Sequence, residues 1–245
     1  LTLSIGAFLC YKGVGTFTTY NHSIAEFLFS ADWAPSDSAE GGGSVGAAIF
    51  IFGSVITCAL ALAIATPFSL ATAIFMTEIS PELGKRFVQP AVEIFVGIPS
   101  VVYGWIGLTI LVPLIKNIFN LRFGFSVLAA GIVLAVMIFP TITSLAADAL
   151  RSIPKSYRAA SYGLGATRWQ TIAKVVVPAA VTGLMTAVIL GLARAFGEAL
   201  AVAMVIGKMR AFPTSLLSPT NNLTAAIAAD MGGAMEGSEY NIALW

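Results

Sequence analysis

The sequence predicts an all-α, polytopic membrane protein, and three observations carry that prediction. Of its 245 residues, 58% are hydrophobic and only 10% are charged, against about 25% charged in an ordinary soluble domain. The mean hydropathy is +0.89. The few charges gather in short stretches between long apolar runs. Six membrane spans are expected in one domain over 1–245, with its core at 45–245. The net charge of +1 says little about partners, whereas the placement of the charges says more.

Residues 1–18 are apolar and make most of a first helix. The chain starts inside an apolar stretch, no cleavage pattern follows, and a new apolar run begins at 240–245. The first and last spans are therefore expected to be trimmed. Residues 20–44 are polar and read as an extramembrane loop, with Trp33 at the membrane interface. Residues 45–77 carry no charge and exceed the roughly 20 residues that a spanning helix needs. Pro67 is expected to kink them. A charged turn follows, with Glu78, Glu82, Lys85 and Arg86. Residues 91–115 are apolar but interrupted by Pro99, Gly104, Gly107 and Pro113. Broken helices persist at membrane depth only where protein or a wet cavity covers the freed backbone. Residues 116–124 form a short loop, and 125–145 a clean span with Pro140 late in it. A basic loop at 148–174, a span at 175–206 and a second polar loop at 208–239 complete the chain.

Basic residues set the orientation. Lys85, Arg86, Arg151, Lys155, Arg158, Arg168 and Lys174 fall in loops of one side. Lys116, Arg122, Lys208 and Arg210 fall on the other, offset by Asp32, Asp37, Glu40, Asp230, Glu236 and Glu239. The first side is expected to be cytoplasmic, and with it both termini.

Enzyme chemistry finds no support. No Gly-Lys-Ser/Thr phosphate loop occurs. The lone His22 reads as a surface residue without metal partners, and no Ser/His/Asp set can be built without it. Cys10 and Cys58 lie in apolar runs and read as small buried hydrophobes.

Two features remain. Arg194 and Glu198 stand four apart in an apolar run, which in a continuous helix puts them on one face. A lone charge at mid-membrane costs about 2.5–3.5 kcal/mol or more, so such a pair has a use. Either it fixes helix packing, or Arg194 lines a solute path and offers its fork of donors to an oxyanion. Glu198 then holds Arg194 or meets a proton on the solute. Gly191 and Gly197 flank the pair and allow close helix approach. The second feature is the 148–174 loop. Ser152-Ile153-Pro154 reads as an N-cap region, residues 156–164 as a short amphipathic helix ended by Gly163 and Gly165, and Thr167 as the start of another. This helix either lies on anionic lipid or docks as a knob in a cytoplasmic partner.

This loop resembles the permease subunits of binding-protein-dependent ABC importers. Their signature is Glu-Ala-Ala, three residues, Gly, nine residues, Ile-x-Leu-Pro. Anchored on Pro178, it places Gly165 at the glycine and Val175 and Val177 at Ile and Leu. Ala160 matches, Ser161 is a small replacement, and Ala159 stands where the glutamate would be. The stretches FMTEISPELGKR (75–86), EIFVGIPSVVYGWIGL (93–108), RSIPKSYRAASYGLGATRW (151–169) and GLARAFGEALAV (191–202) narrow the likeness to the C-type phosphate permeases. The resemblance covers nearly the whole chain.

It implies a type I importer permease with six helices in a bacterial cell membrane. The implied partners are a second permease of the A type, two ATPase subunits and an external phosphate-binding protein. ATP and magnesium would be bound by the ATPase, with no cofactor on this chain. Arg194 and Glu198 would belong to the phosphate path. Ser156, Ala159, Ala160, Ser161, Gly163 and Gly165 would form the coupling surface for the ATPase. The rivals are a permease for another oxyanion such as sulfate or molybdate, a membrane subunit that senses phosphate, and a passive channel.

Overall fold

The structure, a computed structural model, describes residues 1–38 and 40–245. In chain order its elements are α1 (Thr2–Thr18), α2 (Ile24–Phe29), β1 (Trp33–Ala34), β2 (Ser44–Val45), α3 (Ala48–Ile74), α4 (Pro81–Leu83), α5 (Gln89–Gly97), α6 (Ser100–Ile106) and α7 (Val112–Ile118). There follow α8 (Val127–Arg151), α9 (Lys155–Gly163), α10 (Arg168–Thr171), α11 (Val177–Ala179), α12 (Val181–Gly197), α13 (Leu200–Val205), α14 (Leu223–Asp230) and α15 (Glu239–Leu244).

Among the described residues four stretches wind as wider π-turns: Phe75–Ile79, Gly84–Val88, Gly107–Leu111 and Ile172–Val176. Each ends two residues before a proline, namely Pro81, Pro90, Pro113 and Pro178. A proline donates no N–H, and its ring crowds the carbonyl four residues back. A wider turn relieves that crowding. At Pro90, Pro113 and Pro178 the chain runs on as helix, while at Pro81 one helix ends and another begins. Pro67 and Pro140 sit inside α3 and α8 without ending either helix.

Among the described residues three stretches are long and apolar enough to cross a membrane: Ala48–Ile79, Ser100–Ile118 and Val127–Arg151. A fourth is the pair Arg168–Ala179 and Val181–Gly197, bent by 68°. The first and last helices, with 17 and 6 residues, are shorter. The run at 91–115 is broken at Ile98–Pro99 only, and Gly104, Gly107 and Pro113 are all carried within the next span. The expected span at 175–206 is not one helix, because it bends near Ala180 and stops at Gly197. Many large apolar side chains on these helices stay uncovered, Phe68, Ile94, Trp105 and Ile110 among them. In water such a surface would be a liability, and it suits helices set in a membrane.

The residues group into two compact units. One comprises Leu1–Thr57, Gly104–Ala130 and Glu198–Trp245. Its core gathers Trp33, Phe50, Ala226, Ala243 and Leu244. Trp33 meets Phe50 edge-on at 5.1 Å and is buried, so it is a core residue and not an interfacial one. The two short strands pair antiparallel, Trp33 with Val45 and Ala34 with Ser44. The stretch at 208–239 is a packed element more than a loop. Thr220, Asn221 and Asn222 are buried, and the Asn222 side chain caps α14 by accepting from the Ala225 N–H at 2.8 Å.

The other unit comprises Cys58–Tyr103 and Gly131–Gly197. Ser69 donates to the Phe139 carbonyl at 3.1 Å and ties α3 to α8. A Cβ at Gly191 would lie 2.4 Å from Cγ1 of Ile142, so glycine is what lets α12 approach α8. Gly197, expected to do the same, faces open space. Of the cysteines, Cys58 is buried as expected, but Cys10 is exposed on α1.

Candidate functional site

The basic loop folds as a helix, a glycine turn and a second helix. α9 closes with a Schellman motif: Gly165 N–H donates to the Tyr162 carbonyl at 2.9 Å, and Ala166 N–H to the Ser161 carbonyl at 3.2 Å. Gly165 has φ +81°, a conformation that costs residues with a Cβ. Gly163 is simply the last helical residue. α10 opens with a capping box. Thr167 Oγ1 accepts from the Gln170 N–H at 3.3 Å, and Gln170 Oε1 accepts from the Thr167 N–H at 2.9 Å. The Thr-x-x-Gln spacing was there to be read. Ser152 does not cap α9, whose N-cap is Pro154 without a side-chain bond. Its hydroxyl donates back to the Ala149 carbonyl at 2.7 Å and closes α8.

Of the expected coupling residues, Ser156, Ala159, Ala160, Gly163 and Gly165 are exposed. Ser161 is buried and shares a 2.9 Å hydrogen bond with Thr171 that holds α9 against α10. The loop thus presents one open face and keeps its polar interior satisfied. Tyr157, Leu164 and Trp169 add large apolar side chains to that exposed surface, Leu164 at 89% exposure.

Two arginines fasten this loop to the ends of two membrane helices. Arg158 Nε donates to Glu78 Oε2 at 3.0 Å, and its Nη2 donates to Glu78 Oε1. The same guanidinium donates to the carbonyls of Leu150 at 3.0 Å and Ile153 at 2.8 Å. Arg168 donates to the backbone carbonyls of Glu78 and, at 2.8 Å, of Ile79. Helix C-termini leave carbonyls without partners and carry partial negative charge. The arginines answer both needs, at the end of Ala48–Ile79 and the end of α8. The Glu78 side chain is 9% exposed. Its hydrogen bond and charge hold the Arg158 guanidinium above its ordinary value, against the opposing effect of burial. Sequence reasoning missed this clamp, because Glu78 and Arg158 stand 80 positions apart.

Arg194 lies half-buried on α12 and donates to Thr141 Oγ1 on α8. A guanidinium has five N–H donors. Among the described residues Thr141 is the hydrogen-bond partner of one of them, and the others have none. Glu198 is not on the same helix, since α12 ends at Gly197 and the next two residues are not helical. The shared helical face expected for Arg194 and Glu198 therefore does not exist. Glu198 Oε1 instead accepts from the Ala201 N–H at 3.1 Å, at the start of α13, and Thr224 donates to the Glu198 carbonyl at 2.9 Å. His22 is no surface residue. Its ring bonds Glu239 at 2.5 Å and Glu26 at 3.4 Å, with the His22 side chain 10% exposed. Among the described residues no group of three His, Cys, Asp or Glu side chains is arranged to hold a metal.

Residues 65–229 match the family model described as the binding-protein-dependent transport system inner membrane component. The chain belongs to this family. It is 53% identical, over all of its length and 78% of the relative's, to the probable ABC transporter permease YqgH of Bacillus subtilis. It is 36% identical to the phosphate transport system permease PstC of Haemophilus influenzae, over 94% of this chain and 78% of that one. The PstC protein of Pasteurella multocida is 38% identical over 92% of this chain and 74% of its own. A solved structure of the MetNI methionine ABC transporter, in an inward-facing conformation, superposes with a TM-score of 0.53 at 24% identity, covering 74% of this chain and 75% of that one. That likeness establishes the fold. The chain is an ABC importer permease, a membrane transport subunit and not an enzyme, and it works with a separate ATPase.

Proposed function

We propose that this permease forms half of a path for inorganic phosphate. The observation that carries the reading is Arg194: a half-buried guanidinium on a membrane helix, oriented by Thr141, with donors left over for an oxyanion. The 36–38% identity to PstC proteins supports phosphate as the anion. Glu198, held at the start of α13, serves as an acceptor for a proton on hydrogen phosphate, which sulfate does not carry at neutral pH. The closer YqgH relative bears no substrate in its name, so another oxyanion remains the rival to test against.

Phosphate arrives on an external binding protein and passes between this chain and an A-type permease. ATP and magnesium bind to two ATPase subunits on the cytoplasmic side, where both termini of this chain also lie. The exposed face of α9 and the following turn, from Ser156 through Ala159, Ala160 and Gly163 to Gly165, seats in the ATPase. Closure of the ATPase pair pushes on α9. The Arg158–Glu78 and Arg168 bonds pass that push to the spanning helices, so transport follows hydrolysis in a partner.

The test is ATP-dependent phosphate uptake into proteoliposomes holding the full complex, with sulfate as competitor. Uptake that sulfate does not compete away supports phosphate, and uptake of sulfate in its place discards it. Arg194→Gln is expected to abolish uptake while the complex still assembles and hydrolyses ATP. Normal uptake by that variant removes Arg194 from the path.

A further inference from the structure

The clamp that fastens the basic loop also walls a concavity of about 710 Å³. Four cations, Lys85, Arg151, Lys155 and Arg158, and one carboxylate, Glu78, line it. Arg158 and Glu78 satisfy each other. Arg151 has a distant, exposed partner in Asp148 at 3.5 Å and donates to Gln89 at 3.1 Å. Lys85 and Lys155 are exposed and have no ion-pair partner among the described residues. The concavity thus carries two positive charges, Lys85 and Lys155, that no carboxylate among the described residues pairs.

Its place in the fold narrows what could fill it. Met76 and Thr77 on one wall belong to the last turn of Ala48–Ile79, and Arg151 on another is the last residue of Val127–Arg151. Both stretches are membrane spans, so the concavity opens at the boundary between hydrocarbon and water. Pro81 and Tyr162 line the same concavity and are exposed, Tyr162 at 47%. Cations thus stand beside uncovered apolar side chains at headgroup depth. A free phosphate ion uses only the cations. An anionic phospholipid uses both, its phosphodiester in the basic concavity and its acyl chains along the apolar side chains and the adjoining helices.

We propose that this concavity holds the headgroup of an anionic phospholipid and that Lys85 and Lys155 are its principal contacts. Bound there, the lipid lies against the Glu78–Arg158 clamp, so membrane composition bears on the joint between the loop and the spanning helices. The inference holds whatever solute the permease carries; Ala159 lines both this concavity and the face proposed to seat in the ATPase, so the labelling experiment below separates the two occupants.

The assembled transporter, in nanodiscs of phosphatidylcholine with graded phosphatidylglycerol, is analysed by native mass spectrometry for the lipid it retains. A basic residue near the membrane surface strengthens binding of anionic lipid about fivefold. The Lys85→Gln/Lys155→Gln variant is therefore expected to bind phosphatidylglycerol roughly 25-fold more weakly. The Lys85→Arg/Lys155→Arg variant is expected to bind as the parent does, which separates charge from misfolding. Millimolar inorganic phosphate is expected to leave the lipid in place. Equal retention by parent and glutamine variant overturns the proposal. Displacement by free phosphate overturns it in favour of an ion site. Amine labelling of Lys85 and Lys155 that the ATPase subunits block in lipid-free detergent overturns it as well, since the ATPase then fills the space.

Discussion

Two loops of this permease are each pinned by a buried carboxylate, and the two pins differ in the cation. In the basic loop Glu78 is held by Arg158. The polar segment near the start of the chain is pinned to Glu239, at the start of α15, through His22 at 2.5 Å and the backbone N–H groups of Ser36 at 2.7 Å and Gly43 at 2.9 Å. Both carboxylates are at the end of a helix, and both are nearly out of reach of water, Glu78 at 9% exposure and Glu239 at 0%. Arginine keeps its charge at every pH a cell meets, whereas histidine titrates near neutrality. The first pin is therefore a permanent joint, suited to holding α9 rigidly against the spans. The second is conditional on pH. Its ring also faces Glu26 through Nδ1 at 3.4 Å, so two carboxylates share one proton-dependent cation.

The largest expected effect breaks the permanent joint. Arg158→Ala leaves Glu78 buried without its partner, which costs about 3–5 kcal/mol. Thermal unfolding of the purified complex measures that loss, and uptake is expected to fall with it. The variant also frees the carbonyls of Leu150 and Ile153. Glu78→Leu with Arg158→Met sharpens the point, since an apolar replacement of a whole buried pair is often neutral for stability. It is expected to recover much of the stability and little of the coupling between ATP hydrolysis and uptake. Full recovery of coupling would mean that the clamp only stabilises the loop.

A pH series probes the conditional pin. Burial works against a charged His22, but the hydrogen bonds and charges of Glu239 and Glu26 outweigh it and raise the ring above its ordinary 6.5. Burial likewise works against a charged Glu239, and bonds from His22, Ser36 and Gly43 outweigh it and lower the carboxyl below its ordinary 4.5. The raised histidine contributes stability that is fully present below pH 6.5 and is lost as pH climbs through its folded value. The lowered glutamate contributes stability that is fully present above pH 4.5 and is lost as pH falls through its folded value. The pin is strongest between those limits. His22→Gln is expected to remove the loss on the alkaline side, at a cost of about 1.5–3 kcal/mol near pH 6. Parallel pH profiles of parent and variant would show that His22 is not the titrating group.

Much of this was legible in the sequence, and the failures share a cause. Apolar runs gave the spans at Ala48–Ile79, Ser100–Ile118 and Val127–Arg151, and the Gly165 spacing gave the helix–turn–helix of the loop, because these depend on local chemistry. The π-turns before Pro81, Pro90, Pro113 and Pro178 follow from a local rule about proline. Contacts between distant positions left no local trace. Glu78 with Arg158, Arg194 with Thr141 and His22 with Glu239 are joined by tertiary packing alone. Glu198 failed in the opposite way. A four-residue spacing implied one helical face, but the helix stops at Gly197, and no strong breaker stands at 198–199 to announce it.

The smallest expected effect tests whether the shape of the basic loop matters apart from its clamp. Gly165 has φ +81° and open space around its Cα, so a methyl group there meets no neighbour. Gly165→Ala is strained by backbone conformation alone, at about 1 kcal/mol. It leaves every bond of Arg158 and Arg168 in place. If the Schellman turn sets the angle at which α9 meets the ATPase, ATP hydrolysis by the complex should become less tightly linked to uptake although stability barely changes. Gly163→Ala, in the last helical position with equal space and ordinary φ, is the matched control and is expected to be silent. Equal uncoupling by both variants would assign the effect to the added methyl on the docking face and not to the turn.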